Sequence, residues 1–275
     1  MSIGCKSATL TLSPIGGLAN RMRAILSADA LCKRIGSRLR IVWVREKGLN
    51  ASFSDLFEPL PIADVEEPFP LQSFLYAVPR KKNLYVPSLL QKWKYDVCLF
   101  DRQLVHHISS PEMLAEMLRG KDVFISSGLG FFPSDDLLLK SYFTPRRSIL
   151  DEVEQRCASM GKEFVGVHVR RTDNVLSIQE SPVEAFVERM KCFPHAVFYL
   201  ATDSEEVKVA MKEQFPHRVF TSPFQADRTS PEGMREAVVE MYTLARSSHF
   251  LASYYSSFSD VIIVMNGNGK TVRKG

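Results

Sequence analysis

The sequence predicts an α/β protein with parallel sheets, divided into two domains of similar size. Its first half opens with a strand, a glycine turn, a helix and a second strand, an order that implies a parallel crossover. Its second half alternates buried strands with helices of about 10 to 15 residues, which is typical of a doubly wound domain. The 275 residues, 45% of them hydrophobic, suffice for two cores. We place the domains at 1–150 and 151–275.

In the first half, residues 8–12 predict a strand, and a turn with two adjacent glycines follows it. A helix is expected over 18–35, where apolar residues recur at helical spacing and a glycine follows as a stop signal. The apolar run 39–44 predicts the next strand. The pattern is irregular from 50 to 87, and the proline-rich, acidic part of it, 58–70, is interpreted as loop. A further helix is expected over 111–119 and a further strand over 122–126.

In the second half, helices and strands alternate from end to end, and the helix starts carry Ser or Pro at the expected positions. Strands are predicted at 164–169, 196–201, 218–221 and 249–252. Helices are predicted at 145–160, 182–191, 204–215, 230–247 and 256–265.

Composition narrows the class of protein. The net charge of +4 is mildly basic and falls well short of a nucleic-acid-binding signature, so no nucleic-acid partner is expected. Five scattered cysteines without a CxxC pair favour reduced thiols over a disulfide framework or a zinc site. Neither a signal peptide nor an apolar run long enough to span a membrane is present in the sequence. We therefore expect a soluble, cytoplasmic protein.

The most informative segment follows the predicted strand 164–169. It places His168 and Arg170 on one face of the strand, and Arg171 on the other unless the strand has already ended. Arginine is rarely buried unpaired, and its planar fork suits a phosphate, so two guanidinium groups at a strand end indicate an anionic ligand such as the diphosphate of a nucleotide sugar. The alternative is that the arginines pair with acids such as Asp173.

Two later turns carry further candidates. Asp203 follows the predicted strand 196–201, where it could accept hydrogen bonds from a ribose or a guanine edge, or cap the next helix. Ser256 and Ser257 open the last helix, and hydroxyl and N–H groups at a helix N-terminus bind anions or simply cap the helix. Glu240 lies in the middle of the preceding helix and could face the site or solvent.

The first strand–helix turn is the fourth candidate. It lacks the GxGxxG pattern, so a dinucleotide-binding fold is a poor match. Gly17 still allows close approach of the backbone to a ligand, and Asn20 and Arg21 add donors aimed at the same crevice.

Several motifs are absent from the sequence. It contains no GKS/GKT phosphate loop, no HExxH, no GxSxG and no DxD motif of the kind that holds a metal in many sugar transferases. We therefore expect no metal and no cofactor, with arginine neutralising the phosphates instead. Aromatic side chains of the middle segment, Trp93 and Tyr95 among them, could stack on a sugar ring or fill the core, and the core is the role we expect.

These segments resemble the α-1,6-fucosyltransferase superfamily, which includes the rhizobial nodulation and the animal core fucosyltransferases. The stretch GVHVRRTDN around Arg170 is similar to the family's first motif, and FYLATDS, ending at Ser204, to its second. The stretches EMYTL from Glu240 and SYYSS from Ser253 resemble the third. The N-terminal GGLANRMRAI is similar to small bacterial and viral relatives. The resemblance covers the second half well and the first 60 residues loosely.

The resemblance implies a GT-B-like pair of Rossmann-like domains that binds GDP-fucose in the second domain without metal. It implies that Arg170 holds the β-phosphate, that His168 contacts the nucleotide and that Asp203 binds guanine or ribose. Contacts of Ser256 and Ser257 with phosphate are also implied, and Glu240 stands where the family has an acidic residue. One departure is Asn174, where the animal enzymes have Lys.

The expected activity is an inverting transfer of fucose from GDP-fucose to a glycan or another hydroxyl acceptor, with the first domain on the acceptor side. Glu180 is the first candidate for the base that takes the acceptor proton, and Asp173 is the second. Three alternatives remain. The chain could be a non-catalytic GDP-sugar-binding protein, a transferase that uses another nucleotide sugar, or an α/β protein whose arginines are merely paired.

Overall fold

A computed structural model of the protein describes residues 8–161, 163–171, 175–224 and 226–274. The chain forms two compact units, Met1–Thr144 and Pro145–Gly275. In the described part, each unit contains a five-stranded sheet, and the strand orders are β3-β2-β1-β5-β4 and β10-β9-β6-β7-β8. Neighbouring strands of both sheets are parallel. The predicted fold class, α/β with two Rossmann-like parallel sheets, is confirmed.

Unit 1 alternates strands with helices of very unequal length. Its strands are β1 (Thr9–Pro14), β2 (Arg38–Val42), β3 (Val65–Glu66), β4 (Val97–Phe100) and β5 (Val123–Ser127). Its helices are α1 (Leu18–Ile35), α2 (Phe53–Leu56), α3 (Pro70–Ser73), α4 (Val86–Lys94), α5 (Asp101–Leu104), α6 (Pro111–Leu118) and α7 (Leu139–Tyr142).

Unit 2 has the more regular alternation. Its strands are β6 (Val165–Val169), β7 (Phe198–Thr202), β8 (Val219–Phe220), β9 (His249–Ser253) and β10 (Gly269–Val272). Its helices are α8 (Arg147–Ser159), α9 (Val175–Glu180), α10 (Val183–Lys191), α11 (Glu205–Gln214), α12 (Pro231–Ala245) and α13 (Ser257–Asn266).

The core of unit 1 contains a cluster of aromatic side chains around Trp43. Trp43, which is 1% exposed, packs edge-on against Phe53 and donates its indole N–H to the carbonyl of Ala51 over 2.9 Å. Phe53 and Phe57 extend this cluster to Phe143. A buried indole needs a partner for its N–H, and the loop after β2 supplies it.

The core of unit 2 surrounds three central strands, β6, β7 and β9, whose residues are almost all buried. Both faces of the sheet are covered, which explains why these strands appear in the sequence as continuous apolar runs rather than as alternating ones. Gly166 in β6 lies directly under the end of α12, and a Cβ at this position would lie 2.7 Å from the hydroxyl oxygen of Ser247. The strand can approach the helix only because residue 166 has no side chain.

The middle of the chain differs from the expectation. The irregular stretch 50–87 contains α2, β3, α3 and the start of α4, and β3 lies within the part predicted as loop. Strand β4, which follows, was not predicted either. The edge strand β10 was also missed. Tyr95 is buried as expected, but Trp93 is 90% exposed, so the prediction that it belongs to the core is wrong. None of the helices in the described residues is long and apolar enough to cross a membrane.

We expect Gly166→Ala to lower the free energy of unfolding by about 1–3 kcal/mol, because the new methyl group overpacks the contact between β6 and the end of α12. Urea denaturation followed by circular dichroism measures the change. The double variant with Ser247→Gly should regain part of the loss, since it removes the atoms nearest to the methyl. An unchanged midpoint in the single variant would contradict the close approach.

Candidate functional site

The carboxyl ends of β6, β7 and β9 lie side by side in unit 2, in the sheet order β9-β6-β7. The residues that follow these strands are the ones that the sequence singled out: Arg170 and Arg171, Asp203, and the turn that leads to Ser256. Ligands of open α/β sheets bind at this edge. The sheet therefore brings together three of the four predicted segments.

Arg170 and Asp203 form the central ion pair of this edge. Their side chains are 18% and 16% exposed, and Nη1 of Arg170 lies 3.0 Å from Oδ2 of Asp203. The other carboxylate oxygen of Asp203 accepts the backbone N–H of Arg171 over 2.7 Å. Asp203 thus fixes the end of β6 from the neighbouring strand β7. The pairing of an arginine with an acid, one of the alternatives above, occurs with Asp203; Asp173 and Asn174 lie outside the described residues.

His168 is buried beside this pair, on the side of the neighbouring helix α13. Its Nδ1 lies 2.8 Å from the hydroxyl oxygen of Ser259, and its ring packs against Phe258 with 5.0 Å between centroids. Burial, reinforced by the positive charge of Arg170, lowers the pKa of His168 to about 4. The imidazole is therefore neutral near pH 7, and it can offer a hydrogen bond to a ligand without adding charge.

Arg171 lies two residues beyond the end of β6 at Val169, so the strand periodicity does not extend to it. Its guanidinium donates to the carbonyl oxygens of Ser181, at 2.5 Å, and Ile178, at 3.4 Å. Burial lowers the pKa of Arg171, against the opposing effect of Glu184 and Asp203. These contacts tie the segment around α9 to the end of β6. The predicted contact of Arg171 with the nucleotide stays a prediction. In the structure, the Arg171 side chain positions the neighbouring backbone.

Serine hydroxyls complete the edge. Ser253, the last residue of β9, accepts the backbone N–H of Arg170 over 2.9 Å and donates to the carbonyl of His168 over 3.0 Å. Ser256 is the N-cap of α13, and its hydroxyl accepts the N–H of Ser259 over 3.4 Å. Ser257 begins the helix and is partly exposed. Ser253 and Ser259 flank Ser256 and Ser257 in the sequence, and no separate binding role was predicted for either of them.

Glu240 faces the interior rather than solvent. It is 7% exposed in α12, and no hydrogen bond joins its carboxyl group to another described residue. Burial, together with the negative charge of Glu236, raises the pKa of Glu240 to about 8, against the opposing effect of Arg156 and Lys208. Glu236 itself is paired with Arg156 at 2.6 Å. Of two buried carboxyl groups one turn apart, one has an arginine partner and the other holds its proton.

Glu180, the first candidate for a base, ends α9 and is paired with residues near the end of the chain. Its carboxylate lies 3.0 Å from Nζ of Lys274 and 3.3 Å from the guanidinium of Arg273. Lys274 and then Arg273 lower the pKa of Glu180. A lowered pKa weakens a general base, because proton transfer is most effective when the pKa is near the working pH.

The fourth predicted segment belongs to unit 1. Gly17 is the N-cap of α1, and Asn20 lines a cleft of about 590 Å³ at the carboxyl edge of the first sheet, together with Glu46, Asp101 and Arg80. Arg21 does not line this cleft: it is fully buried over the ring of Trp43.

Each nitrogen of the Arg21 guanidinium donates a hydrogen bond within unit 1. Its guanidinium donates to the carbonyl oxygens of Gly16, at 3.0 Å, and Val44, at 2.8 Å, and to the carboxylate of Glu46, at 3.1 Å. Burial lowers its pKa to about 10. Arg21 therefore fixes the glycine turn to the segment that follows β2. The predicted contact of Arg21 with a nucleotide sugar stays a prediction.

In the described part of the chain, no group of three or more His, Cys, Asp or Glu side chains is arranged to hold a metal ion. At the edge of unit 2, Arg170 supplies positive charge next to its partner Asp203.

The fold has known counterparts among solved structures. A NodZ α-1,6-fucosyltransferase soaked with GDP-fucose matches with a TM-score of 0.66 and 18% identity, over 94% of this chain and 93% of that one. Arabidopsis thaliana FUT1 carrying R284K, in complex with GDP, matches with a TM-score of 0.61 and 14% identity, over 98% of this chain and 71% of that one. POFUT1 in its apo form matches with a TM-score of 0.59 and 12% identity, over 97% of this chain and 98% of that one. No protein-family model and no curated protein sequence matches the chain.

We expect Glu240→Gln to remove a pH dependence of stability. The folded protein keeps the Glu240 proton up to about pH 8, whereas the unfolded chain releases it near pH 4.5, so unfolding between these values releases a proton and stability falls as pH rises. Relative to the unchanged protein, the variant should gain up to about 4 kcal/mol between pH 5 and pH 8. Urea denaturation at both pH values measures this gain.

Glu236→Gln is the matched control, one helical turn away. It should destabilise the protein at both pH values, because it removes the carboxylate that pairs with the largely enclosed Arg156. An equal response of the two variants to pH would contradict the assignment of the proton to Glu240.

Proposed function

We propose that this chain is a glycosyltransferase that moves fucose from GDP-fucose to a hydroxyl group of an acceptor, with inversion at the transferred carbon. The proposal rests first on one observation: Arg170 is held by Asp203 at the carboxyl edge of the second sheet, beside the turn that opens α13. The GDP-fucose and GDP named with the NodZ and plant FUT1 structures support the choice of donor.

Arg170 suits the diphosphate for a geometric reason. A guanidinium group has five N–H donors in a planar fork, and this fork matches the oxygens of a phosphate. The backbone N–H groups at the start of α13, next to Ser256 and Ser257, add partial positive charge on the same edge of the sheet. We assign the β-phosphate to Arg170 and the N-terminus of α13, and the guanine or ribose to Asp203 and neutral His168.

The chemical step breaks the bond between the anomeric carbon and the β-phosphate oxygen, and the acceptor oxygen bonds to that carbon from the opposite face. Positive charge develops on the sugar ring, as in other glycosyl transfers, while negative charge builds on the departing phosphate. Preorganised Arg170 stabilises that negative charge, and contributions of this kind are worth about 3–4 kcal/mol per donor. GDP leaves, and the proton of the acceptor hydroxyl goes to a base.

Transfer also needs a base for the acceptor proton and a place for the acceptor. Glu180 remains the first candidate for the base, although its pairing with Arg273 and Lys274 makes it weak, and Asp173 is the second. We assign the acceptor to the first domain, 1–150, whose cleft offers carboxylate, amide and basic groups to a hydroxyl-rich molecule such as a glycan. We assign the binding of the donor to the second domain, 151–275.

We further propose that transfer needs neither metal nor cofactor, because the fixed positive charge of Arg170 performs the neutralisation that Mg²⁺ performs in many transferases. Calorimetric titration with GDP-fucose, GDP-mannose, GDP, UDP-GlcNAc and ADP, each with and without EDTA, tests the donor and the metal together. Binding of GDP and GDP-fucose that EDTA does not change is the expected result. Preference for the UDP or ADP compound would indicate another donor.

We expect Arg170→Ala to lower turnover at least about a hundredfold, because it removes a donor to the departing phosphate. Release of GDP from GDP-fucose in the presence of candidate glycan acceptors measures turnover. Arg189→Ala, an exposed arginine on α10, is the control and should leave turnover unchanged.

Two outcomes separate the proposal from its alternatives. Tight binding of GDP without transfer to any acceptor would favour the non-catalytic GDP-sugar-binding protein, to which Asn174 in place of the family Lys points. Unchanged turnover in Arg170→Ala would remove the role of Arg170.

A further inference from the structure

Helix α4 exposes its apolar side to solvent. Val86, Leu89, Leu90 and Trp93 follow the spacing i, i+3, i+4 and i+7, and their exposed fractions are 38%, 72%, 43% and 90%. In a surface helix of a globular protein such a stripe faces the core. In α4 it does the opposite.

The inner side of α4 explains this orientation. Gln91 is fully buried, and its side-chain amide donates to the carbonyl oxygens of Leu75, at 2.8 Å, and Ala77, at 3.0 Å. Pro87, one turn earlier, is buried on the same side. Rotating the helix to bury the apolar stripe would break both hydrogen bonds of Gln91 and leave two carbonyl groups unpaired. The polar contact therefore holds the apolar stripe outward.

The exposed apolar area continues along the neighbouring chain. Phe69, Leu71, Leu84 and Tyr85 are 76%, 89%, 80% and 57% exposed. We refer to residues 69–94 as the 69–94 surface. Single exposed apolar residues are ordinary on a protein surface, but a concentration of this kind marks an interaction site.

The charge of the 69–94 surface has one sign. It contains Arg80, Lys81, Lys82, Lys92 and Lys94, and neither Asp nor Glu. The whole chain has 35 Lys and Arg against 31 Asp and Glu, so the residues outside this surface carry 30 basic groups against 31 acidic ones. The net positive charge of the protein is thus concentrated where its apolar side chains are exposed.

We propose that the 69–94 surface docks on a bilayer that contains anionic phospholipids. Leu89, Leu90 and Trp93 enter the interface between headgroups and acyl chains, and the flanking Lys92 and Lys94 contact lipid phosphates. A short helix with apolar residues on one face and lysines beside them lies in the plane of the interface and does not span it. Basic side chains near an anionic surface each contribute to binding. The proposal goes beyond fucosyl transfer and does not depend on it.

Sedimentation with lipid vesicles tests the proposal on the full chain. Vesicles of phosphatidylcholine alone are compared with vesicles of phosphatidylcholine and phosphatidylglycerol in equal parts, at low and high salt. We expect binding to the anionic vesicles, weaker binding to the neutral ones and a loss of binding at high salt, because the charge contacts are screened.

Two variants divide the interaction into its parts. Leu89→Ser with Trp93→Ser removes apolar contacts, and Lys92→Glu with Lys94→Glu reverses charge; each should weaken binding to anionic vesicles at least about tenfold. All four side chains are exposed, so circular dichroism should show an unchanged fold. Leu137→Ser, at a residue that is 77% exposed elsewhere in unit 1, and Lys191→Glu with Lys212→Glu on unit 2 are the matched controls and should bind as the unchanged chain does.

Failure of the unchanged chain to sediment with anionic vesicles would overturn the proposal. Equal binding by the variants of the 69–94 surface and by their controls would overturn it too, since the contact would then lie elsewhere. Analytical ultracentrifugation tests whether a second copy of the chain covers the 69–94 surface instead. The chain would then fail to bind vesicles but would self-associate, and Leu89→Ser with Trp93→Ser would abolish the self-association.

Discussion

The two contacts of the Asp203 carboxylate determine the geometry of the candidate site. One oxygen contacts the guanidinium of Arg170 and the other accepts the backbone N–H of Arg171, so the residue that follows β7 fixes the segment that follows β6. A pair that is mostly removed from water adds little net stability, because desolvation offsets the attraction. Its effect is on orientation: Arg170 reaches the sheet edge in a defined position, and a ligand does not have to order it.

The chemistry of α12 complements this arrangement. Glu236 is satisfied by Arg156, whereas Glu240 is buried with its pKa raised to about 8 and keeps its proton near pH 7. The negative charge of Asp203 acts in the same direction on Glu240. A protonated Glu240 places no second negative charge near Asp203, and it can donate a hydrogen bond. Glu240 therefore adds no further negative charge beside the pair formed by Arg170 and Asp203.

Sequence reasoning was most successful where a pattern is local. The range of α1 and the central strands of unit 2 follow from apolar runs and helix signals, and strand ends place Arg170 and Asp203 together because parallel strands end at one edge. The edge strand β10 is short and polar, so it has no such pattern. The environment of Glu180 depends on Arg273 and Lys274, more than 90 residues away in the chain. Contacts of this separation arise from the fold, and one sequence gives no signal for them.

The three arginines singled out from the sequence show why residue type alone does not identify a binding group. Arg21 is enclosed by Gly16, Val44 and Glu46, and its burial lowers its pKa to about 10. Arg171 donates to two carbonyl oxygens near α9. Both arginines donate hydrogen bonds to backbone carbonyl oxygens and so stabilise the fold. Arg170 instead is oriented by a carboxylate at a sheet edge. A guanidinium at that edge can present its planar fork to a phosphate, whereas one bonded to backbone carbonyls inside the fold serves the fold.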